Sequence, residues 1–164
     1  MTQVGDRKLE MERVIPDFTL PSVDGRQIGP GVYKQRANLV IAYLDLNRCG
    51  ECEDFLRGLA DDYQLYRADE TEILAICPQP IGELQMQAGT LRLPFPVLSD
   101  EKGAVRDVYF SGEPGQPVAG VFITDRYGAL RVQIISQNGT EIPVRHDILD
   151  WLDLIEMECP ECGT

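Results

Sequence analysis

Residues 38–59 read NLVIAYLDLNRCGECEDFLRGL, and this stretch joins a strand pattern, a cysteine pair and a helix pattern. The nearly continuous apolar run at 38–46 predicts a buried strand of a parallel sheet. A helix is predicted at 52–68, because apolar residues recur at spacings of three and four: Cys52, Leu56, Leu59, Tyr63 and Tyr66. Cys49 and Cys52 are therefore expected between the end of a buried strand and the first turn of a helix.

The flanking segments continue an alternation of strands and helices. Residues 15–30, IPDFTLPSVDGRQIGP, predict a small hairpin that turns at Asp24-Gly25. Further along, the patterns predict strands at 72–77, 118–125 and 129–136, helices at 81–89, 104–109 and 143–157, and a proline-punctuated connector at 93–103. This order predicts an α/β protein of thioredoxin fold, with a central mixed sheet, helices on both faces and an N-terminal β-hairpin.

The chain length of 164 residues predicts one main domain. We expect a polar lead-in at 1–15, the α/β domain at 16–157 and a short cysteine-containing tail at 158–164. Fifteen basic residues face 27 acidic ones, which gives a net charge of −12. Such a surface repels phosphate backbones and anionic membranes, so neither nucleic acid nor a membrane is expected as a partner.

The cysteine content indicates chemistry rather than structural cross-linking. The chain shows no apolar signal-peptide core near Met1 and no long apolar span, so a cytoplasmic location is expected. Structural disulfides are rare in that compartment. The pair in CGEC, Cys49 and Cys52, is therefore expected to be a redox dithiol, half of a metal site, or two buried small residues, and redox chemistry is favoured.

The charges around the pair bear on how acidic its thiols are. A helix N-terminus and the adjacent Arg48 both stabilise a thiolate. Three carboxylates in the same turn, those of Glu51, Glu53 and Asp54, disfavour a second negative charge. We therefore expect a thiol that is less acidic than in strongly oxidising dithiol proteins.

Three further motifs resemble the peroxiredoxins of the alkyl hydroperoxide reductase/thiol-specific antioxidant family, and the wider thioredoxin-like redoxins. They are IPDFTLPSVDGRQI at 15–28, LPFPVLSDEKGAVRDVY at 93–109 and GVFITDRYGALR at 120–131. The resemblance implies a thioredoxin fold and an enzyme that is a thiol-dependent oxidoreductase. It implies no organic cofactor, a disulfide or hydroperoxide as substrate, a second dithiol as electron donor, and a possible homodimer.

The catalytic motif of that family is altered here. Where peroxiredoxins carry Pro-x-x-x-Thr-x-x-Cys, this chain has Asp45, Cys49 and Cys52, and Ala119 stands at the position of the family's arginine. Ala119 also occupies the position of the cis-proline of thioredoxins. The resemblance to thioredoxins implies that Asp45 could be a buried proton acceptor beside the dithiol; the alternative is a solvated loop acid.

Two assignments of the cysteines remain open. In a dithiol mechanism Cys49, which precedes the helix and should be the more exposed, attacks, and Cys52 on the apolar stripe resolves the mixed disulfide. In a peroxidase mechanism Cys52 attacks the hydroperoxide, and Cys49 or a tail cysteine condenses with the sulfenic acid. A third alternative is a non-catalytic module that binds zinc or senses oxidants.

The tail adds a second Cys-x-x-Cys pair, Cys159 and Cys162. It could be a resolving or shuttle dithiol, a pair of zinc ligands, or an unused exposed pair. In a thioredoxin-like topology the last helix runs away from the CGEC end, so the tail would reach CGEC only from a partner subunit. Of the remaining candidates, Cys77 ends a predicted strand and is expected in the core, and His146 is expected on the surface.

Overall fold

The computed structural model describes residues 9–139, 142–143 and 145–158. In this part of the chain, seven strands and five helices follow one another in an α/β order. The strands are β1 (Leu20–Pro21), β2 (Gln27–Ile28), β3 (Asn38–Leu44), β4 (Thr71–Cys77), β5 (Val97–Ser99), β6 (Ala119–Thr124) and β7 (Leu130–Ser136). The helices are α1 (Cys52–Asp61), α2 (Tyr63–Ala68), α3 (Ile81–Leu91), α4 (Ala104–Tyr109) and α5 (Arg145–Glu158), and a short 3-10 helix covers Pro30–Tyr33.

The central sheet has five strands in the order β5-β4-β3-β6-β7. Strand β3 pairs in parallel with β4 and antiparallel with β6, so Ala42 lies between Ala75 and Val121. The first two strands form a separate antiparallel hairpin. The predicted thioredoxin fold, with its mixed sheet and N-terminal hairpin, is therefore confirmed.

Alternate residues of β3 supply two cores, one on each face of the sheet. Val40, Ala42 and Leu44 pack into the core that also holds apolar residues of α1 and α5. The other three apolar positions, Leu39, Ile41 and Tyr43, face the hairpin and α4. Because successive side chains of a strand point to opposite faces, an apolar run is the pattern expected of a strand covered on both sides.

The connector predicted at 93–103 contains a strand that the sequence patterns did not separate. Residues Val97–Ser99 form β5, which pairs in parallel with the end of β4. At three residues, β5 is too short for its alternation to be distinguished from that of an apolar loop. It extends the sheet beyond β4 and leads into Asp100, which connects the sheet to α4.

Asp100 accepts three hydrogen bonds from groups that belong to β3 and α4. The hydroxyl of Tyr43 donates at 2.7 Å, and the backbone amides of Val105 and Arg106 donate at 3.1 and 2.9 Å. Burial and the neighbouring carboxylate raise the pKa of Tyr43, so the phenol remains a donor. This buried cluster fixes α4 against the middle strand.

The helix predicted at 52–68 is two helices, α1 and α2. The backbone leaves the helical conformation at Asp62, and its carbonyl oxygen then accepts from the amides of Leu65 and Tyr66 as α2 begins. The predicted apolar stripe is nevertheless buried at Cys52, Leu56, Leu59 and Tyr66. None of the helices in the described ranges is long and apolar enough to cross a membrane.

We expect Gly120→Ala to lower the free energy of unfolding by about 1–3 kcal/mol. A Cβ atom at this position of β6 would lie 2.6 Å from the ring of Phe110 and 2.9 Å from that of Phe122. Urea unfolding measures the change. Gly89→Ala in α3 is the matched control, because its Cβ would meet no atom within 4 Å and alanine favours a helix by up to about 1 kcal/mol. Equal stability of the two variants would contradict the close packing at Gly120.

Candidate active site

The backbone of Asp45 turns the chain from β3 towards the cysteine pair. Its amide donates to the carbonyl oxygen of Val118 at 2.8 Å, which continues the pairing with the neighbouring strand. Its carbonyl oxygen accepts from the amides of Arg48 and Cys49 at 3.1 and 3.0 Å. Its carboxylate accepts from the amide of Asn47 at 3.2 Å. The turn is thus held by backbone and side-chain bonds of one residue.

Cys49 and Cys52 form a disulfide within the chain, with their Cα atoms 5.5 Å apart. Helix α1 begins at Cys52, and the side chain of its N-cap residue, Glu51, forms no capping hydrogen bond. The first amides of a helix have no partner inside it, so this end favours negative charge on a nearby sulfur. The site therefore combines a redox-capable pair with a helix terminus that can stabilise a thiolate.

Both sulfur-bearing residues are buried in the oxidised form. Cys52 is 0% exposed and Cys49 is 4% exposed, so Cys49 is the more exposed of the two, as predicted, by only a small margin. Cys49 lies beneath the turn that follows β7: a Cβ on Gly139 would stand 2.9 Å from its Sγ and 3.7 Å from the side chain of Val118. Gly139 has φ +89°, a conformation that favours glycine. The turn at 137–139 therefore covers the disulfide.

Arg48 and two acids of α1 near the pair are already engaged. The guanidinium of Arg48 donates to the carbonyl oxygen of Gln116 at 3.0 Å and lies 3.7 Å from the carboxylate of Asp45. On α1, Glu53 and Asp54 are exposed and form ion pairs with Arg57. Exposed carboxylates are screened by water, so their effect on the thiols is weaker than that of buried charges.

Asp45 is a buried acid rather than a solvated loop acid, with 8% of its surface exposed. The side-chain amide of Gln79 donates to its Oδ1 at 3.0 Å. Gln79 is itself buried, and the hydroxyl of Ser99 donates to its backbone carbonyl oxygen at 2.7 Å. Sequence reasoning missed Gln79. The available signal was its position just after β4, because the carboxyl ends of parallel strands meet at one edge of a sheet.

Cys77 is a core residue, as predicted, and is fully buried at the end of β4. Burial and, secondarily, the Asp45 carboxylate raise the pKa of its thiol well above the ordinary range. A protonated thiol is a much weaker nucleophile than a thiolate, so Cys77 is not suited to exchange chemistry. The side chain of His146 and both tail cysteines, Cys159 and Cys162, lie outside the described residues.

Position 119 gives the site an apolar wall. Ala119 is buried at the start of β6, opposite Leu44. Arg106 donates to the carbonyl oxygen of Pro117 at 2.8 Å, close to the bond that Arg48 makes with Gln116. These two guanidinium groups therefore fix the segment that precedes β6.

Within the described ranges, no group of three or more His, Cys, Asp or Glu side chains could hold a metal ion.

The sequence matches a known protein family over most of its length. The model of the AhpC/TSA family matches residues 11–133. Alkyl hydroperoxide reductase E of Mycobacterium tuberculosis is 29% identical over 135 residues, which cover 80% of this chain and 88% of that protein.

Solved structures with the same fold include two kinds of thiol protein. The mitochondrial 2-Cys peroxiredoxin of Plasmodium falciparum superimposes with a TM-score of 0.76 at 15% identity, covering 94% of this chain and 98% of that one. A structure described as a thiol:disulfide interchange protein DsbE from Chlorobium tepidum gives 0.72 at 20% identity, covering 88% and 99%. The family match, the shared fold and the intrachain disulfide together lead to one conclusion: this chain belongs to the AhpC/TSA family and is a thiol-dependent oxidoreductase.

Proposed function

We propose that Cys49 and Cys52 catalyse thiol–disulfide exchange as a dithiol pair. The observation that carries this proposal is the disulfide that the two cysteines form with each other at the start of α1. A pair that closes within one chain can accept two electrons and pass them on without a second subunit. The burial of both residues in one core keeps the two sulfurs together when the bond opens.

The proposed cycle has two exchange steps. In the reduced enzyme the Cys49 thiolate attacks one sulfur of a substrate disulfide, whose S–S bond breaks, and the first substrate thiolate leaves and takes up a proton. The Cys52 thiol then loses its proton and attacks the Cys49 sulfur, which expels the second substrate thiolate and forms the Cys49–Cys52 disulfide. An external dithiol reduces that disulfide with two electrons and two protons and is itself oxidised to a disulfide.

We assign Asp45 the role of proton acceptor for the resolving thiol, Cys52. Its burial and the hydrogen bond from Gln79 support this role, because they hold the carboxylate at the sheet edge from which the cysteine turn begins. A fixed acid at that edge can take the proton when Cys52 attacks and return it when the disulfide is reduced.

Reduction of hydroperoxides is the second candidate function, and membership of the AhpC/TSA family favours it. In this reaction the Cys52 thiolate attacks one peroxide oxygen, the O–O bond breaks, and the alkoxide leaves as an alcohol after protonation. The resulting sulfenic acid condenses with the Cys49 thiol and releases water, which gives the same disulfide. Ala119 stands in place of the family's arginine, so no cationic side chain is supplied from that position to polarise the peroxide, and we place exchange first.

A cytoplasmic location, a homodimer and a role of Cys159 and Cys162 as a shuttle dithiol belong to the same proposal. The proposed shuttle takes electrons from the donor and passes them to the Cys49–Cys52 disulfide of a partner subunit. A partner is needed because the last helix of a thioredoxin-like topology runs away from the CGEC end of its own chain. Zinc binding by the tail pair is the alternative for these two residues. Zinc that survives dialysis but leaves with a chelator would decide for it.

The background for this test is the variant Cys159→Ser/Cys162→Ser, which lacks the tail thiols. In this background we expect Cys52→Ser to trap a stable mixed disulfide at Cys49. The attacking sulfur is retained in this variant and the resolving one is lost, so reduced enzyme should keep one glutathione after reaction with oxidised glutathione. The chain with both Cys49 and Cys52 should instead release two glutathione molecules and close its own disulfide. Peptide mass mapping measures both results.

Cys49→Ser in the same background is the matched control for the order of attack. It should form little glutathione adduct, because Cys52 is the more deeply buried cysteine. A persistent adduct on Cys52 would reverse the assigned roles. Faster reaction of Cys49→Ser with cumene hydroperoxide than of Cys52→Ser with oxidised glutathione would favour the peroxidase function, and dimedone capture would show the sulfenic acid at Cys52.

We expect Gly139→Ala to speed the reduction of the disulfide by dithiothreitol by roughly fivefold. The added Cβ would lie 2.9 Å from Sγ of Cys49, so either the turn or the sulfur must move. A steric cost of about 1 kcal/mol in the oxidised form corresponds to a roughly fivefold faster reduction. Gly103→Ala is the control, because Gly103 also has a positive φ, +76°, but its Cβ would meet no atom within 4 Å. Equal rates for the two variants would show that the turn does not limit access to Cys49.

Cys77 should resist alkylation by iodoacetamide at pH 8–9 in the folded, reduced protein. Burial raises the pKa of its thiol, so the thiol stays protonated through this range while an unfolded cysteine, with a pKa of about 8.5, ionises. Mass mapping after a pulse of reagent should show label on Cys49 well before Cys77, and rapid labelling of Cys77 only in urea. Equal labelling of the two residues in the folded state would contradict the assignment of Cys77 to the core.

A further inference from the structure

A surface cavity of roughly 730 Å³ lies at the end of the sheet opposite the disulfide. Its walls come from β2, from residues just before β3, from α2 and from the start of β4. The disulfide follows the other end of β3, so the cavity is separate from the thiol site. Its volume falls within the range of roughly 300–1,000 Å³ that is typical of small-molecule sites.

Three arginines from three separate segments line this cavity: Arg26, Arg36 and Arg67. Arg26 uses its Nε to bind Asp24, and Arg67 uses only one terminal nitrogen. The backbone amide of Arg36 donates to the carbonyl oxygen of Tyr33 at 2.9 Å, but its guanidinium forms no ion pair or hydrogen bond with any residue that the structure describes. Each guanidinium carries five N–H donors, so most of the donors around the cavity remain available.

The two acids in the cavity wall already have partners. The carboxylate of Glu72 accepts from the hydroxyl of Tyr63 at 2.7 Å, from Arg67 at 3.1 Å and from the amide of Ile73 at 2.9 Å. Glu70 is paired with Arg126 at 3.1 Å. Among the residues that the structure describes, none compensates the charge of Arg36, which makes the cavity locally positive on a chain of net charge −12.

The remaining wall is apolar and includes Ile28, Val32 and the ring of Tyr33. Val32 is 54% exposed, so its side chain presents apolar surface at the cavity. Burial and the nearby Glu72 raise the pKa of Tyr33, so its phenol stays protonated and can donate a hydrogen bond. An apolar surface thus adjoins a cluster of cationic donors.

We propose that this cavity binds a small organic anion, with a phosphate or carboxylate group held by Arg36, Arg26 and Arg67 and an apolar body against Ile28, Val32 and Tyr33. The guanidinium group suits this ligand class because it binds both oxyanions through paired, charge-assisted hydrogen bonds. The cavity shares no lining residue with the thiol site described above, so this proposal does not rest on the thiol chemistry.

The test is a titration of the full-length, ¹⁵N-labelled chain at constant ionic strength with phenyl phosphate, benzoate, inorganic phosphate and phenol. We expect saturable shifts of the amides of Gln27, Arg36 and Thr71 with phenyl phosphate or benzoate, while the amide of Cys52 does not move. The tighter of these two ligands identifies the anionic group as phosphate or carboxylate.

Arg36→Gln should weaken the binding of that ligand by about tenfold, the effect of removing one charge-assisted contact. Arg13→Gln is the matched control, because the side chain of Arg13 is exposed and, among the described residues, forms an ion pair with Glu10 alone. Superimposable spectra of the free variants establish that both are folded. The proposal is overturned by the absence of saturable shifts up to about 10 mM ligand, by equal affinities of the two variants, or by inorganic phosphate that binds as tightly as phenyl phosphate.

Discussion

The carbonyl oxygen of Asp45 accepts hydrogen bonds from the amides of Arg48 and Cys49, and the position of the whole redox site depends on this turn. Strand β3 is paired on both sides and buried on both faces, so its end has little freedom to move. The turn transfers that rigidity to Cys49, and α1 then places Cys52 at its own first residue. Two sulfurs that are mobile in an unfolded chain are thereby held at bonding distance.

The same packing that pairs the sulfurs also restricts access to them. Both cysteines belong to the core formed by β3, α1 and α5, and the turn at 137–139 lies over Cys49. A buried disulfide is protected from chance exchange with solvent thiols. In the proposed function a partner reaches Cys49 through local opening of this surface turn, and such openings cost less free energy than global unfolding.

The two ends of the sheet have different chemistry. At the carboxyl ends of β3 and β4, Asp45 and Gln79 form a buried polar pair beside the cysteine turn. At the opposite end, arginines from three segments surround an open cavity whose acids are already paired. Strands β3 and β4 run between these ends and are buried along their whole length. The fold therefore separates the redox site from the cationic cavity by the length of these strands.

Sequence patterns were sufficient for the elements whose signal is local. The apolar run of β3, the helical stripe that includes Cys52, and the apolar strand that ends at Cys77 could all be predicted, because side-chain direction follows from the repeat of a strand or helix. Four features depend instead on packing between distant segments: the addition of β5, the break at Asp62, the bond between Gln79 and Asp45, and the position of Gly139 over Cys49. Such packing also brought Arg26, Arg36 and Arg67 to one cavity. Each of these features depends on contacts between segments that are distant along the chain, and local periodicity carries no information about which distant segments pack together.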